Sequence, residues 1–145
     1  MTGADLIHLA GDLVTEAAGR EAYVRCATSR AYYGAFHLAR DLILDIDSTV
    51  SPLNHGTLPQ CLARSNQPEA LKAAQMLSDL QSNRVLADYA LDKNKAASPK
   101  FAMMNVQMAR KIQSILQTLA DTPELRTSLQ AGIKRVMESR RAKID

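Results

Sequence analysis

The residues of this sequence best suited to chemistry are Arg30 and His37, which lie seven positions apart in a stretch with helical periodicity. At about 100° per residue, Arg30, Tyr33, His37 and Arg40 share one narrow polar arc, and most of the other residues form a broad apolar arc. Seven residues of helix span about 10.5 Å, a distance that a long arginine side chain can largely close. Histidine can move a proton on or off a 2′-hydroxyl near neutral pH, and arginine can hold a phosphate. The pair therefore predicts a site for metal-free RNA cleavage.

The same arc has a second interpretation, in which Tyr33 and His37 are half-buried contacts to a neighbouring helix. A later stretch, which contains Arg84 and Asp88, also has two interpretations. Arg84 and Asp88 stand at i and i+4, so they could form an ion pair with Tyr89 packed behind them. They could equally bind a ligand together with Tyr33 and Arg40.

The sequence lacks the usual devices for metals and dinucleotides. It has no glycine-rich phosphate loop, no Cys/His cluster and no Glu-x-x-His repeat, so no metal and no cofactor are expected. Cys26 and Cys61 have no metal-ligand spacing and are interpreted as reduced structural thiols of a cytoplasmic protein. No apolar run approaches the roughly 18 residues of a membrane span, and no secretion signal is evident at the N-terminus.

Hydrophobic periodicity predicts an all-α protein. The chain of 145 residues, with 46% apolar residues and a net charge of +3, suits one domain over residues 1–145. The expected fold is a bundle of five to six helices, mostly antiparallel, with its core in about residues 4–120. Predicted helices cover 4–18, 20–44, a short segment with Thr57 as its cap, 68–91, a segment from 99 and a segment from 123. The helix from 99 carries an apolar stripe, including Met104, that is assigned to the core.

Two further patterns concern partners. Ala27, Ala31 and Gly34 form a seam of small residues, which predicts a homodimer by close helix approach. The last helix, 123–144, ends in a basic segment. Its cations either complement the helix dipole or contact nucleic acid, and both interpretations stay open. They are Lys134, Arg135, Arg140, Arg141 and Lys143.

Three motifs taken together resemble the HEPN superfamily. They are SRAYYGAFH at 29–37, NHG at 54–56 and RVLADY at 84–89, and the likeness extends over about residues 6–119. They are most similar to the small stand-alone bacterial and archaeal members. The resemblance implies a helical bundle that dimerises through its long helices. It also implies a toxin–antitoxin or defence setting, often beside a nucleotidyltransferase-type partner.

In active relatives, an arginine followed after four to six residues by histidine forms a ribonuclease site at the dimer interface, normally on the later helix. Here Asp88 and Tyr89 follow Arg84 instead, and the Arg-x6-His spacing occurs on the earlier helix at Arg30 and His37. Two functions therefore stay open. One is an RNA- or nucleotide-binding toxin-like protein with metal-independent endoribonuclease activity. The other is a non-catalytic interaction module that binds a protein partner or a nucleotide.

Overall fold

The computed structural model describes residues 1–144, with the backbone alone for Ile144, while Asp145, the last residue of the predicted domain, lies outside the described residues. This part of the chain is all-helical and has no strand, which confirms the predicted fold class. None of its helices has both the length and the apolarity needed to cross a membrane. The elements are α1 (Gly3–Thr15), α2 (Glu21–Ile46), α3 (Thr57–Ala63), α4 (Pro68–Tyr89), a 3₁₀ turn (Asn94–Ala97), α5 (Pro99–Asp121) and α6 (Pro123–Ile144).

Helix α2 is the centre of the bundle, and it packs against α1, α4 and α5. In the contacts of α2 with α1 and with α4, early residues of one helix meet late residues of the other. Both helices are therefore antiparallel to α2. Arg25 meets Ala87 at the end of α4, and Tyr32, two turns later on α2, meets Arg84, which precedes Ala87. The core is built largely from Ala, Leu and Ile side chains such as the fully buried Ile43. The ring of Tyr32 is also fully buried in it. Small residues let the helices approach closely, as the aromatic-poor composition predicts.

Three predicted helix ends, those of α1, α2 and α4, differ from the structure by two or three residues. Helix α1 ends at Thr15 rather than at residue 18, because Ala18 has φ 47° and Gly19 has φ 80°. These left-handed conformations turn the chain directly into α2. Helix α4 ends at Tyr89 rather than at 91, and the 3₁₀ turn lies between it and α5.

The start of α3 also differs from its prediction. Thr57 is the first helical residue and not the cap. The Oδ1 atom of Asn54 accepts hydrogen bonds from the backbone N–H groups of Gly56 and Thr57, each at 3.0 Å. The Thr57 hydroxyl instead donates to the Pro52 carbonyl at 2.9 Å. Asn54 therefore satisfies the free N–H groups at this end, and it fixes the loop that carries His55.

The small-residue seam lies inside the chain. A Cβ atom on Gly34 would lie 2.6 Å from Cγ1 of Ile7 and 2.7 Å from the Gly3 carbonyl oxygen, both in α1. Ala27 and Ala31 are fully buried. The close approach predicted for two copies is thus the packing of α1 on α2, and this seam is not available to a second molecule.

The two cysteines have free thiols in different surroundings. Cys61 in α3 is buried, and burial raises the pKa of its thiol. Cys26 is exposed on α2. The interpretation as a structural thiol therefore suits Cys61, whereas Cys26 stands at the surface.

Two of the basic residues of α6 hold this helix on the bundle. An Nη1 atom of Arg135 donates to the Arg64 carbonyl at the end of α3. Nη1 of Arg140 donates to the Ser51 carbonyl at 3.2 Å. These arginines donate to backbone carbonyls of neighbouring segments, a role that neither sequence interpretation of the basic residues included.

Candidate anion-binding site

The site is centred on Arg84, a buried arginine of α4 whose side chain is 7% exposed. Its guanidinium carbon lies 5.7 Å from the ring centre of Tyr32 and 5.4 Å from that of Tyr33, both on α2. It also lies 5.8 Å from the ring of Tyr89, one turn and a half further along α4. Aromatic faces attract a cation, and burial strengthens that attraction. The three rings therefore hold the guanidinium at the α2–α4 contact.

A chain of polar groups links Arg84 to Arg30. Asp88 Oδ2 lies 3.5 Å from Nη1 of Arg84 and accepts a hydrogen bond of 3.1 Å from the buried Ser29 hydroxyl. Nη2 of Arg30 donates to the same Ser29 oxygen at 3.5 Å, and its guanidinium carbon lies 5.4 Å from the Tyr33 ring. The Arg84–Asp88 pair predicted from the i, i+4 spacing is therefore present, and Arg30 joins it.

Both arginines keep a donor without a partner. The Nε atoms of Arg84 and Arg30 are buried, and among the described residues neither has a hydrogen-bond partner. Gln81 Oε1 accepts only from Nη2 of Arg84, at 3.2 Å. Buried donors are nearly always paired, and leaving one unpaired costs about 1–3 kcal/mol. Asp88 pairs with Arg84, and Arg30 is linked to that carboxylate only through the Ser29 hydroxyl, so an anion would improve both the hydrogen bonding and the charge balance.

His55 completes the site from the loop before α3. Its Nδ1 atom pairs with the Tyr32 hydroxyl, and its ring centre lies 6.4 Å from that of Tyr33. Partial burial and the nearby Arg84 cation lower the pKa of His55 below its usual value. Burial raises the pKa of Tyr32, so its hydroxyl keeps its proton. At neutral pH the imidazole is therefore uncharged, with one nitrogen held by Tyr32.

The residues predicted to do chemistry separate into two groups. Arg30, Tyr33, Arg84, Asp88 and Tyr89 converge at the site, with Tyr89 at its edge and 74% exposed. His37 and Arg40 are exposed on α2, further from the α4 terminus. The recorded ring contact of His37 is an edge-on approach to Phe36 at 5.6 Å, and no hydrogen bond links it to Arg30 in residues 1–144. The structure thus brings Arg30 to Arg84 rather than to His37.

His55 is absent from the set of site residues predicted from the sequence. It lies in a loop without periodicity, eighteen positions after His37, so wheel geometry could not place it beside Arg84. Two signals point to it: the turn Asn54-His55-Gly56, which suggests an ordered loop, and the place of these three residues among the motifs of the family resemblance.

Arg25 positions the part of α4 that carries the site. Its guanidinium is 7% exposed and donates to five backbone carbonyls at the end of α4 and just beyond it. These hydrogen bonds range from 2.8 to 3.4 Å. Helix α4 has no basic residue in its own last turn, so Arg25 supplies the missing cation from α2. The accepting residues are Leu86, Ala87, Ala90, Leu91 and Lys93.

A second set of buried polar contacts fixes α2, α4 and α5 relative to one another. Asn105 is fully buried on α5 and donates to the Thr28 hydroxyl at 3.4 Å. Its Oδ1 accepts from Nδ2 of Asn83 at 2.7 Å. Because Thr28 and Asn83 adjoin Ser29 and Arg84 in sequence, this contact sets the register in which the site forms.

No group of three or more His, Cys, Asp or Glu side chains that could hold a metal converges within the described residues. The donors at the site are guanidinium, hydroxyl and imidazole groups with one carboxylate, a set suited to an anion rather than to a divalent cation.

Comparison with models of known families, with curated proteins and with solved structures gives no match to this chain. The likeness to the HEPN superfamily therefore depends on the three motifs. Each of them supplies part of one site: Arg30 and Tyr33 from 29–37, His55 from 54–56 and Arg84 from 84–89.

Proposed function

We propose that the Arg84 site binds a phosphate group of RNA or of a nucleotide, and that the protein is a HEPN-type toxin-like component of a toxin–antitoxin or defence system. The observation that carries this proposal is the buried Arg84 guanidinium, whose Nε atom has no partner within residues 1–144; Arg30, linked to it through Asp88 and Ser29, has an unpaired Nε as well. A phosphate would supply oxygens that accept from these guanidinium groups, and charge-assisted hydrogen bonds of this kind are about twice as strong as neutral ones.

The same site has the groups needed for metal-independent RNA cleavage. In this step the imidazole of His55 takes the proton of a ribose 2′-hydroxyl, whose oxygen forms a bond to the adjacent phosphorus. The bond from phosphorus to the 5′-oxygen breaks, that oxygen takes a proton from water and leaves as a 5′-hydroxyl, and His55 returns its proton to the solvent. The products are a 2′,3′-cyclic phosphate and a 5′-hydroxyl end, and Arg84 and Arg30 stabilise the charge that develops on phosphorus.

The imidazole would meet one requirement of this step through its contact with Tyr32. For Nε2 to accept a proton, Nδ1 must carry the ring hydrogen and donate it to the Tyr32 oxygen. A lowered pKa keeps the imidazole uncharged at neutral pH, in the form that acts as a base. His55 is therefore the proposed proton-transfer group, and the Arg30–His37 pair remains the competing hypothesis.

A second candidate function is a non-catalytic interaction module. It is favoured by exposed apolar side chains near the site, where Tyr89 is 74%, Leu91 68% and Val85 41% exposed. Such a surface suits a second copy of the chain or a protein partner, for which a nucleotidyltransferase-type antitoxin in the cytoplasm is the proposal. In that case the site would bind a nucleotide or an acidic group without cleaving it.

The test uses a 5′-labelled single-stranded RNA in EDTA, with binding measured by anisotropy and cleavage measured on a gel. Arg84→Gln should lose binding, whereas the control Arg126→Gln should not, because Arg126 pairs with Asp45 elsewhere at 2.7 Å. Cleavage that ends in a cyclic phosphate supports the ribonuclease. Binding without cleavage supports the interaction module, and equal binding by both variants would overturn the assignment of the phosphate to Arg84.

A further inference from the structure

A second surface feature lies apart from the Arg84 site, between the 3₁₀ turn and the first two turns of α5. It is an open groove with a cavity volume of about 720 Å³. Phe101, Met103 and Met104 form its apolar part, Lys95 and Lys100 stand on its rim, and Gln107 continues the exposed face of α5.

The apolar part of the groove is exposed where the sequence predicts core. Met104 belongs to the α5 stripe assigned to the interior, yet it is 44% exposed, whereas Phe101 in the same stripe is 7% exposed. The periodicity places Met104 at the border of the stripe, and the helices within residues 1–144 leave it exposed. Methionine side chains are flexible and polarizable, so they adapt to apolar groups of a partner.

The rim of the groove is positively charged. Lys95 and Lys100 are both exposed, and neither forms an ion pair within residues 1–144. Nζ of Lys95 lies 5.3 Å from the Phe101 ring centre, so this charge stands directly above the apolar surface. The first turn of α5 contains no acidic residue, and the positive end of its helix dipole is therefore not offset.

We propose that this groove binds an amphipathic helical segment of a partner protein that carries acidic residues beside its apolar face. Apolar side chains of the segment would pack on Met104 and Phe101, and its carboxylates would approach Lys95 and Lys100. In helix-in-groove recognition an amphipathic helix lays its apolar face in an apolar groove, and acidic residues beside that face would complement the positive rim of this one. A nucleic-acid strand would match the lysines but would leave the methionine surface without an apolar partner. The proposal is independent of phosphate binding at Arg84.

The test uses two short fluorescein-labelled peptides with leucine at i, i+3, i+4 and i+7. One carries glutamate at the remaining positions and the other carries lysine there. The glutamate peptide should bind saturably, with an affinity that falls as salt is added. Met104→Glu and the double variant Lys95→Glu/Lys100→Glu should each weaken this binding at least about tenfold, because both place like charges against the peptide.

A matched control makes the same charge change on α6, where Lys134 and Lys143 are exposed. The variant Lys134→Glu/Lys143→Glu should bind the glutamate peptide as the unchanged protein does, and thermal melts should show that all variants fold. Absence of binding, equal binding of the lysine peptide, or an equal loss in the α6 control would overturn the proposal. A dimer of the free protein that Met104→Glu dissociates would assign the groove to a second copy and would also overturn it.

Discussion

Nη1 of Arg25 lies 3.0 Å from the carbonyl oxygen of Ala87, across the contact between α2 and α4. The same side chain also reaches carbonyls beyond the helix end, so one guanidinium satisfies acceptors that α4 cannot satisfy itself. Arg84 and Asp88 lie in the turn that this contact fixes. The position of the candidate site therefore depends on a residue that does not belong to it.

Arg25→Lys should destabilise the protein by about 3 kcal/mol, because lysine keeps the charge but cannot reach five carbonyls at once. The expected fall in Tm is about 10 °C. Thermal unfolding followed by circular dichroism measures it. Glu21→Gln is the control, since it removes only the half-exposed partner at 2.8 Å and should cost less than about 1 kcal/mol. Equal effects of the two substitutions would show that the ion pair, and not the helix end, is what Arg25 stabilises.

Gly34→Ala tests the packing of α1 on α2. The added Cβ would meet the Gly3 backbone oxygen at 2.7 Å, which cannot rotate away. Overpacking of this kind should cost about 2 kcal/mol, more than the gain in helix propensity of about 1 kcal/mol. Gly56→Ala is the matched control, because its φ of −86° and its nearest neighbour at 3.6 Å accommodate a Cβ. A stable Gly34→Ala variant with an altered oligomeric state would show instead that this seam is a dimer interface.

The helices of this protein follow closely from periodicity and from local start signals. Ser98 before Pro99 predicts the start of α5, and its hydroxyl accepts from the Phe101 N–H at 3.3 Å. Turns depend on subtler chemistry. Ala18 is a poor candidate for a left-handed conformation, and the side chain that accepts from the first N–H groups of α3 is that of Asn54 rather than of Thr57.

The candidate site was only partly visible in the sequence, because it is assembled across three elements. Local spacing revealed Arg84 with Asp88 and the polar arc that contains Arg30. It could not show that α4 runs antiparallel to α2 and so brings Arg84 to Tyr33. Local spacing therefore made His37 the expected neighbour of Arg30. His55 comes from a loop, and its place is decided by tertiary packing.

Arg140→Ala should lower stability by about 1 kcal/mol, since it removes the hydrogen bond to the Ser51 carbonyl at 3.2 Å. Arg141→Ala changes an exposed neighbour and should stay within about 0.5 kcal/mol. Chemical denaturation compares the two. Equal midpoints would mean that Arg140 does not hold α6 on the bundle.

A separate experiment on α6 asks whether its exposed cations contact nucleic acid. Replacing Lys134, Arg141 and Lys143 together by glutamine leaves the contacts of Arg135 and Arg140 in place. The slope of log K against log salt is negative for RNA binding. If all three cations contact single-stranded RNA, the magnitude of this slope should fall by about 2 in the variant. We expect this fall with little change in Tm, and an unchanged slope would leave the helix dipole as the explanation of the basic segment.

Two histidines, His55 and His37, could transfer the proton, and their variants should behave differently. His55→Ala should reduce RNA cleavage by about a hundred- to ten-thousand-fold, whereas His37→Ala should change it little, because His37 is exposed and away from Arg84. The two variants should both fold, which thermal melts check. A large loss of cleavage in His37→Ala, with His55→Ala still active, would restore the Arg30–His37 pair as the site.

The pH dependence gives a second measure of the same assignment. Burial and Arg84 lower the pKa of His55, so its imidazole should accept protons down to a lower pH than an ordinary histidine, and cleavage should fall only below that point. The unfolded chain binds a proton at His55 more readily than the folded protein does, so stability should decrease as pH falls from about 6.5 towards the folded pKa. His55→Gln should remove this part of the stability profile, and His37→Gln should not.

NMR titration of the imidazole resonances measures the pKa of His55 directly. Arg84→Gln should raise this pKa, because it removes the neighbouring cation. A His55 pKa that stays unchanged in Arg84→Gln would show that the two side chains do not share one site.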